Sequence, residues 1–369
     1  MYLNGICVLD FSQYIPGPYA TLRLADFGAS VIKIEPADGE LARGEMGPSQ
    51  ERGIVFEANN SNKQSITIDL KTPNGIELAR KLIKNADVLI ESFRPGVMRR
   101  LGLDYEKARK VNEQIVYCSI SGYGQSGEIA TLGSHDLNYL ALTGVLSQFK
   151  DYEGKPVHPT LTLADHLGGI AASESIIAAL FARTKTGRGT YIDIALVDAL
   201  VGLMNNHFVN AERTGYLQGM SALAGTIVCY SIYETSDGRY VSLGALEKKF
   251  WENFCAACNK MEWLQKQFSL AKDSNPTYVQ IKELFKSKSL QEWTIFSERV
   301  DCCVAPVLEV SEALERFSKE PRQFISRDAN NIQVATRFEK GLLERRTKAP
   351  AKGEHTEKIL QQLLDDFDS

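Results

Sequence analysis

The run GICVLDFSQYIPGPYATLRLADFGASVIKIEP, residues 5–36, constrains the fold more than any other feature. GICVLDFSQ has the apolar density of a buried strand ending in polar residues. PGPYATLRLADFGA carries Pro near its start, apolar residues at helical spacing and Gly28 near its end, which is the pattern of a helix. SVIKIEP is a second strand, stopped by Pro36. Strand, helix and strand in so short a span form a βαβ unit, which implies a parallel pair with a right-handed crossover. The rhythm then repeats. KQSITIDL, ADVLIESF and IVYCSISGYG read as strands. TPNGIELARKLIKNA reads as a helix with Thr72 as N-cap and Pro73 next, and YEKARKVNEQ as a shorter one. The expected fold class is therefore α/β, with a large doubly wound, Rossmann-like parallel sheet covered by helices on both faces.

The second half of the chain changes character. Asp136 to Thr186 is mostly helical, broken by a loop at DYEGKPVHPT, and TGRGTYIDIALVDAL returns to a strand and a helix. From about Arg213 the residues alternate apolar and polar. GTIVCYSIYETSDGRYVSLGALEKKFWENFCAAC reads as an antiparallel hairpin turning at Ser-Asp-Gly, followed by a helix. The expected organisation is a large domain of residues 1–200 and 325–369, a smaller α+β domain of residues 215–310, and linkers at 201–214 and 311–324. The tail HTEKILQQLLDDFDS is an amphipathic helix whose docking periodicity does not set.

Composition narrows the function classes. The 369 residues carry a formal net charge of −4, with 44% hydrophobic and 24% charged residues. That is the balance of an ordinary globular protein with a substantial core. Without a basic excess, nucleic acid and anionic membrane are poor partners. The N-terminus lacks the pattern of a signal peptide, and no apolar run approaches the ~20 residues that cross a bilayer. Seven scattered cysteines suggest free thiols in a reducing compartment, so a cytoplasmic location is the default. Cys255 and Cys258 form a CxxC without a second ligand pair, expected to pack in a helical core; Cys302-Cys303 is expected in a buried strand.

Nucleotide and hydrolase motifs are missing. No GxGxxG follows the first strand, and there is no Walker A motif, GxSxG or clustered His set. What remains is acidic residues and one histidine at element ends, where a doubly wound sheet keeps its ligands. Asp165 precedes the helical run GGIAASESIIAALFART and is either its N-cap or a carboxylate at a ligand site opened by Gly168 and Gly169. His135 holds a similar place before a helix, either bonded to a carbonyl or free to carry a proton. Glu247 lies between a strand and a helix, as an ordinary first-turn acid or a functional one.

Several long stretches are similar to the family III CoA-transferases, the CaiB/BaiF family. They are the opening βαβ run, NNSNKQSITIDLKTPNGIELARKLIKNADVLIESFRPGVMRRLGLDYE, SISGYGQSG, HDLNYLALTG, LADHLGG and GRGTYIDIALVDAL. The family contains a transferase branch, in which the aspartate matching Asp165 is a nucleophile, and an α-methylacyl-CoA racemase branch. In the latter that aspartate carries a proton and pairs with a histidine matching His135. HDLNYLALTG and Glu247 in GALEKKF look like the racemase versions. The resemblance implies a racemase or epimerase of 2-methylacyl-CoA thioesters working by proton transfer between His135 and Asp165 through an enolate, with Glu247 in support. The alternatives are a CoA-transferase with nucleophilic Asp165 and a non-catalytic CoA-binding protein.

The resemblance also implies an interlocked homodimer with Glu247 reaching the site from the partner chain. CoA is part of the substrate, and no separate cofactor is expected. Arg43, Lys63, Arg94 and Arg99 match the region that binds CoA, with Arg94 in SFRPG foremost. Asp136 and Tyr139 are expected beside them, although Tyr139 fits core packing equally well. Backbone N–H groups at the helix starts after His135 or Asp165 are candidate donors to the enolate oxygen.

Overall fold

The computed structural model describes residues 1–44, 53–151, 153–321, 325–328, 331–334 and 347–368. They divide into two compact units, residues 1–203 with 317–369, and residues 204–316.

The larger unit follows the βα alternation. Its elements are β1 (Cys7–Asp10), α1 (Pro16–Asp26), β2 (Ser30–Glu35), α2 (Ile54–Asn59), β3 (Lys63–Thr67), α3 (Pro73–Lys84) and β4 (Val88–Glu91). Then come α4 (Val97–Leu101), α5 (Tyr105–Val111), β5 (Val116–Ser121), α6 (Asp136–Leu142), α7 (Leu163–Thr186), β6 (Tyr191–Ala195) and α8 (Leu196–Leu203). All six strands pair in parallel in the order β3-β2-β1-β4-β5-β6. The winding direction reverses between β1 and β4, which opens a crevice beyond their carboxyl ends.

Leu9, Leu89, Ile66, Ile83 and Tyr117 anchor the core beneath α3 and α5. Thr72 caps α3 by accepting the Gly75 N–H, as its sequence anticipates; such a cap contributes about 1 kcal/mol. The 24-residue α7 is apolar enough by length and composition to cross a membrane, although Asp165, His166 and Glu174 interrupt its apolar runs in the sequence. It packs against α1, α6, α8, β5 and β6 as a core helix of the sheet.

The smaller unit holds its own core. Here lie α9 (Asn205–Thr214), β7 (Tyr230–Glu234), β8 (Tyr240–Gly244), α10 (Lys248–Ala257), α11 (Pro276–Lys286), α12 (Leu290–Arg299), β9 (Val304–Pro306) and most of α13 (Val310–Lys319). β7, β8 and β9 form an antiparallel sheet, with Gly238 supplying the positive φ of the expected hairpin turn. Trp251, Trp263 and Trp293, all the tryptophan in the chain, are buried here, each indole N–H bonded to an oxygen. Cys255 is buried among them and Cys258 closes α10; burial pushes both thiols up to about 12, so they pack as inert side chains. Cys302 is buried, but Cys303 is exposed at φ 57 and the strand begins only at Val304. The cysteines expected in a strand therefore lie just before it. Both expected linkers are largely helical, as α9 and α13.

The chain returns to the larger unit through the hairpin β10 (Ile325–Asp328) and β11 (Asn331–Val334), and ends in α14 (Thr356–Asp368). β3 is an edge of the large sheet, and its outward N–H groups are covered. Ser65 N–H donates to His355 Nδ1 at 3.3 Å and Thr67 N–H to Thr356 Oγ1 at 3.1 Å, while Ile359 joins the core. That docking is what periodicity left open.

Candidate active site

Two loops meet at the reversal of the sheet. Gln13 N–H, just after β1, donates to Ser92 Oγ, just after β4, at 2.8 Å. Next along, Tyr14 takes φ 63, uncommon for any residue but glycine, and its N–H donates to Glu40 Oε1 at 2.6 Å. The start of α1 lies against α7. A Cβ on Gly169 would come 2.7 Å from the Pro16 carbonyl oxygen, so glycine at that position is what lets the helices touch. The rings of Tyr19 and His166 meet edge to face with centroids 4.9 Å apart.

Beneath this corner is a cluster of charges. Asp10, Lys33, Lys63 and Glu35 are buried at the ends of β1, β2 and β3. Lys33 pairs with Glu40 at 2.7 Å and with Asp10 at 3.5 Å, and also donates to the Ser12 carbonyl. Lys63 donates to Asp10 Oδ2 at 3.1 Å, the Pro18 carbonyl at 2.9 Å and Asn60 Oδ1 at 2.7 Å. Burial alone would raise the Asp10 carboxyl; Lys33, Lys63 and the hydroxyls of Ser12 and Thr21 overcome it and hold Asp10 well below the usual range. All three donors of the Lys63 ammonium are used within this buried cluster. Arg43 is likewise engaged: Nε and Nη2 both bond Glu35, at 2.6 and 2.7 Å, and the guanidinium lies 3.6 Å over the Phe56 ring. It braces the β2 end.

His135 and Asp165 stand at the starts of α6 and α7. His135 is the N-cap of α6, its side chain exposed and its N–H held by Asn138 Oδ1 at 3.0 Å. Asp165 is not the cap of α7. Thr162 holds that place, and Asp165 is the third residue of the helix, half-buried. Burial, and then the carboxylate of Asp136, push its carboxyl up to about 7, against the helix dipole that favours the ionised form. Asp136 Oδ2 accepts the Asp165 N–H at 3.0 Å and so ties the two helix starts together, one residue from His135.

Within the chain, the second carboxylate acting on Asp165 is Asp136. Tyr139 is buried, donates its hydroxyl to the Ser134 carbonyl at 3.1 Å, and has its phenol raised by burial, with Asp165 among the smaller causes. It is a wall of the corner. The Asp165 N–H itself is spent on Asp136.

Arg94 is exposed and lies beside this corner: a Cβ on Gly133, two residues before His135, would be 3.0 Å from its Nη2. Arg94 and Arg99 both line a cavity of ≈ 400 Å³, together with Glu91, Tyr105, Tyr117 and Tyr191. Glu91 escaped the sequence reading. It ends a buried strand, accepts the Phe93 N–H at 2.8 Å, and is pushed up to about 7 by burial, against hydrogen bonds from Ser119 and Phe93. A carboxylate closing the apolar run ADVLIE was its signal. Tyr14 was missed too, because nothing in DFSQYIPGP marks a left-handed residue. In the smaller unit, Glu247 is the exposed N-cap of α10, near the thiol of Cys303.

A profile of CoA-transferase family III matches residues 3–356. The chain is 33% identical to human alpha-methylacyl-CoA racemase over 98% of its length and 93% of that protein. It is 30% identical to mouse succinyl-CoA:glutarate CoA-transferase over 98% of its length and 86% of that protein. Among solved structures, a CAIB/BAIF family protein from Brucella suis superposes with a TM-score of 0.84 at 26% identity, each chain 98% covered.

Proposed function

The chain belongs to CoA-transferase family III, and from that premise we propose that it is a racemase or epimerase of 2-methylacyl-CoA thioesters. The observation that carries the reading is the pairing at the α6 and α7 starts: an exposed imidazole next to the residue that bonds Asp165, and a carboxyl titrating near 7. A proton α to a thioester is only weakly acidic. Inverting that carbon requires a base on one face and an acid on the other. In one direction neutral His135 takes the proton while protonated Asp165 returns one to the opposite face; in the other, the Asp165 carboxylate takes it and the imidazolium returns one. A carboxyl that burial and the Asp136 carboxylate raise to about 7 is poised both to give and to take a proton near neutral pH. Each positioned acid or base is worth roughly 10²–10⁴-fold. The enolate oxygen takes its hydrogen bonds from backbone N–H groups at the start of α6.

CoA enters as part of the substrate, with Arg94 as the cation for its phosphates and Arg99 in the adjoining cavity. A second copy of the chain is the partner. Ile177 and Phe181 on α7 and Val201 and Leu203 on α8 are exposed, Phe181 by 63%, and apolar surface of this extent calls for cover. In such a dimer the partner subunit's Glu247 completes the site. Neither nucleic acid nor membrane is a partner in this reading, and the cytoplasm is its setting.

Incubation of one enantiomer of a 2-methylacyl-CoA in D₂O without an acceptor acid tests the proposal. Deuterium at Cα together with loss of optical activity is the expected result. The second reading, CoA transfer with Asp165 as nucleophile, draws on the similarity to the glutarate CoA-transferase. It predicts no exchange, CoA transfer once a second acid is added, and an Asp165 thioester trapped by hydroxylamine.

A further inference from the structure

Asp136 is a peculiar neighbour for a proton carrier. It is the first residue of α6, and its carboxylate reaches across to the N–H of Asp165 in α7. A neutral acceptor such as Asn or Ser could make that bond equally well. A second carboxylate beside Asp165 brings a cost that only its charge can explain, because two ionised carboxyls in a half-buried corner repel.

We propose that Asp136 is a positioning residue for Asp165, holding the first turn of α7 through the Asp165 N–H while keeping a fixed negative charge against the Asp165 side chain. The inference rests on the proton-transfer reading for its use, but its physical content does not. Several titratable groups lie on the elements packed against α7: Tyr139 on α6, Tyr19, Arg23 and Asp26 on α1, Asp198 on α8, Asp193 and Tyr191 on β6, Tyr117 and Cys118 on β5, and His166 next along α7. Tyr139 points its hydroxyl to the Ser134 carbonyl, His166 turns Nδ1 to the Thr162 carbonyl at 2.7 Å, and Arg23 donates to Ser173 Oγ. Asp193 accepts the Gln125 N–H. Among the described residues it is Asp136 whose charge acts on Asp165.

The arrangement does two things at once. The hydrogen bond fixes where the Asp165 backbone sits relative to His135, so the two proton carriers share one frame. Burial is the larger cause that keeps Asp165 protonated where an ordinary aspartate is ionised, and the Asp136 charge adds to it. A carboxylate bonded only to backbone N–H groups would be driven the other way. The pair is thus a built-in bias toward the acid form.

The test uses the full-length protein and its Asp136→Asn variant, which keeps the oxygen acceptor and removes the charge. Titration of ¹³C-carboxyl aspartate signals by NMR, with Asp165→Asn to assign the resonance, reads Asp165 without any substrate. The expected result is a fall in the Asp165 midpoint of about one to two pH units in Asp136→Asn. In α-proton exchange, the acid limb of the kcat/KM profile moves down by a similar amount while the alkaline limb moves less. Asp136→Glu restores the limb. An Asp165 midpoint unchanged in Asp136→Asn overturns the proposal. If instead no acyl-CoA exchanges its α-proton, the racemase reading fails while the NMR shift still decides the role of Asp136.

Discussion

Two carboxyls in the larger unit, the buried Asp10 and the half-buried Asp165, are both raised by burial and end with opposite shifts because of their neighbours. Asp10 ends β1 with two ammonium groups and two hydroxyls around it, and it stays ionised far below the ordinary range. Asp165 opens α7 with a like charge beside it, and its carboxyl rises to about 7. Both corners hold more than one acid. They differ in whether cations are supplied. A cluster whose charges cancel locks the ends of three strands; a pair whose charges do not cancel is left with a proton to give or take. Strongly shifted groups arise in both settings, so the sign of the shift and the company of the group separate brace from working site.

The largest expected break in this comparison is Asp165→Asn. The neutral amide cannot move a proton, so racemisation falls by roughly 10²–10⁴-fold with KM little changed. The same substitution tests the electrostatics through stability. With the folded pKa raised above the unfolded value, Asp165 favours the folded state most at low pH. That contribution is lost as pH rises from about 4, the unfolded value, through the folded value near 7. Asp165→Asn removes this loss, so its stability relative to wild type grows over that window in urea melts and levels off above it. A variant less stable than wild type at pH 8 would show that Asp165 is braced as Asp10 is.

Next in size is Lys33→Met, which strips Asp10 and Glu40 of a shared cation. Leaving buried charges without a partner costs about 3–5 kcal/mol, read as a fall in the urea midpoint. The Asp10 shift has the opposite sign to that of Asp165: its stabilisation is present above the unfolded pKa near 4 and disappears as pH falls through its lower folded value. Wild type therefore loses stability on acidification below about 4 more steeply than Lys33→Met does. Equal acid sensitivity in the two proteins would mean that the lysine does not hold Asp10 down.

Smaller again is Arg94→Ala. If this guanidinium meets the CoA phosphates, losing one charge-assisted contact worth about 1.5–3 kcal/mol raises KM for acyl-CoA tenfold or more, with kcat held within a few-fold. The Arg99→Ala change tells whether the adjoining cavity belongs to the same footprint. An unchanged KM in both variants would move CoA away from this edge.

How much of this was legible in the chain depends on what each residue needed. The six parallel strands read directly, because βαβ spacing leaves few arrangements and the hydrophobic runs were long. The short α2 and α4 did not, since a helix of five or six residues has no periodicity to show. Asp165 and His135 were legible as residues at helix starts. Their relation was not, because it runs through the Asp136 carboxylate, and a hydrogen bond between helices 29 positions apart leaves no local mark.

The burial of Lys63 was hidden for a related reason. A lysine opening a strand looks like a surface cation, and only the inward alternation of Lys63 and Ser65 on β3 betrays that it is core. Asp136 was expected beside the CoA-binding arginines, and its bond to the Asp165 N–H had no mark in the sequence.

The smallest expected effect joins the two corners. Tyr14 lies above the Asp10 cluster, and the bond that holds it at positive φ runs to Glu40, whose other oxygen pairs with Lys33. The cluster therefore does more than close the strand ends: it imposes a costly conformation on a residue at the crevice, next to the loop that carries Arg94. A non-glycine residue in this region costs of order 1–3 kcal/mol, and glycine removes most of that while adding about 0.5–1 kcal/mol of unfolded-state entropy. The Tyr14→Gly variant should then be as stable as wild type or up to about 2 kcal/mol more stable, while turnover of acyl-CoA falls because the ring is gone. Lower stability with unchanged turnover would place Tyr14 with the structural corner. Equal or higher stability with weaker turnover places it with Asp165.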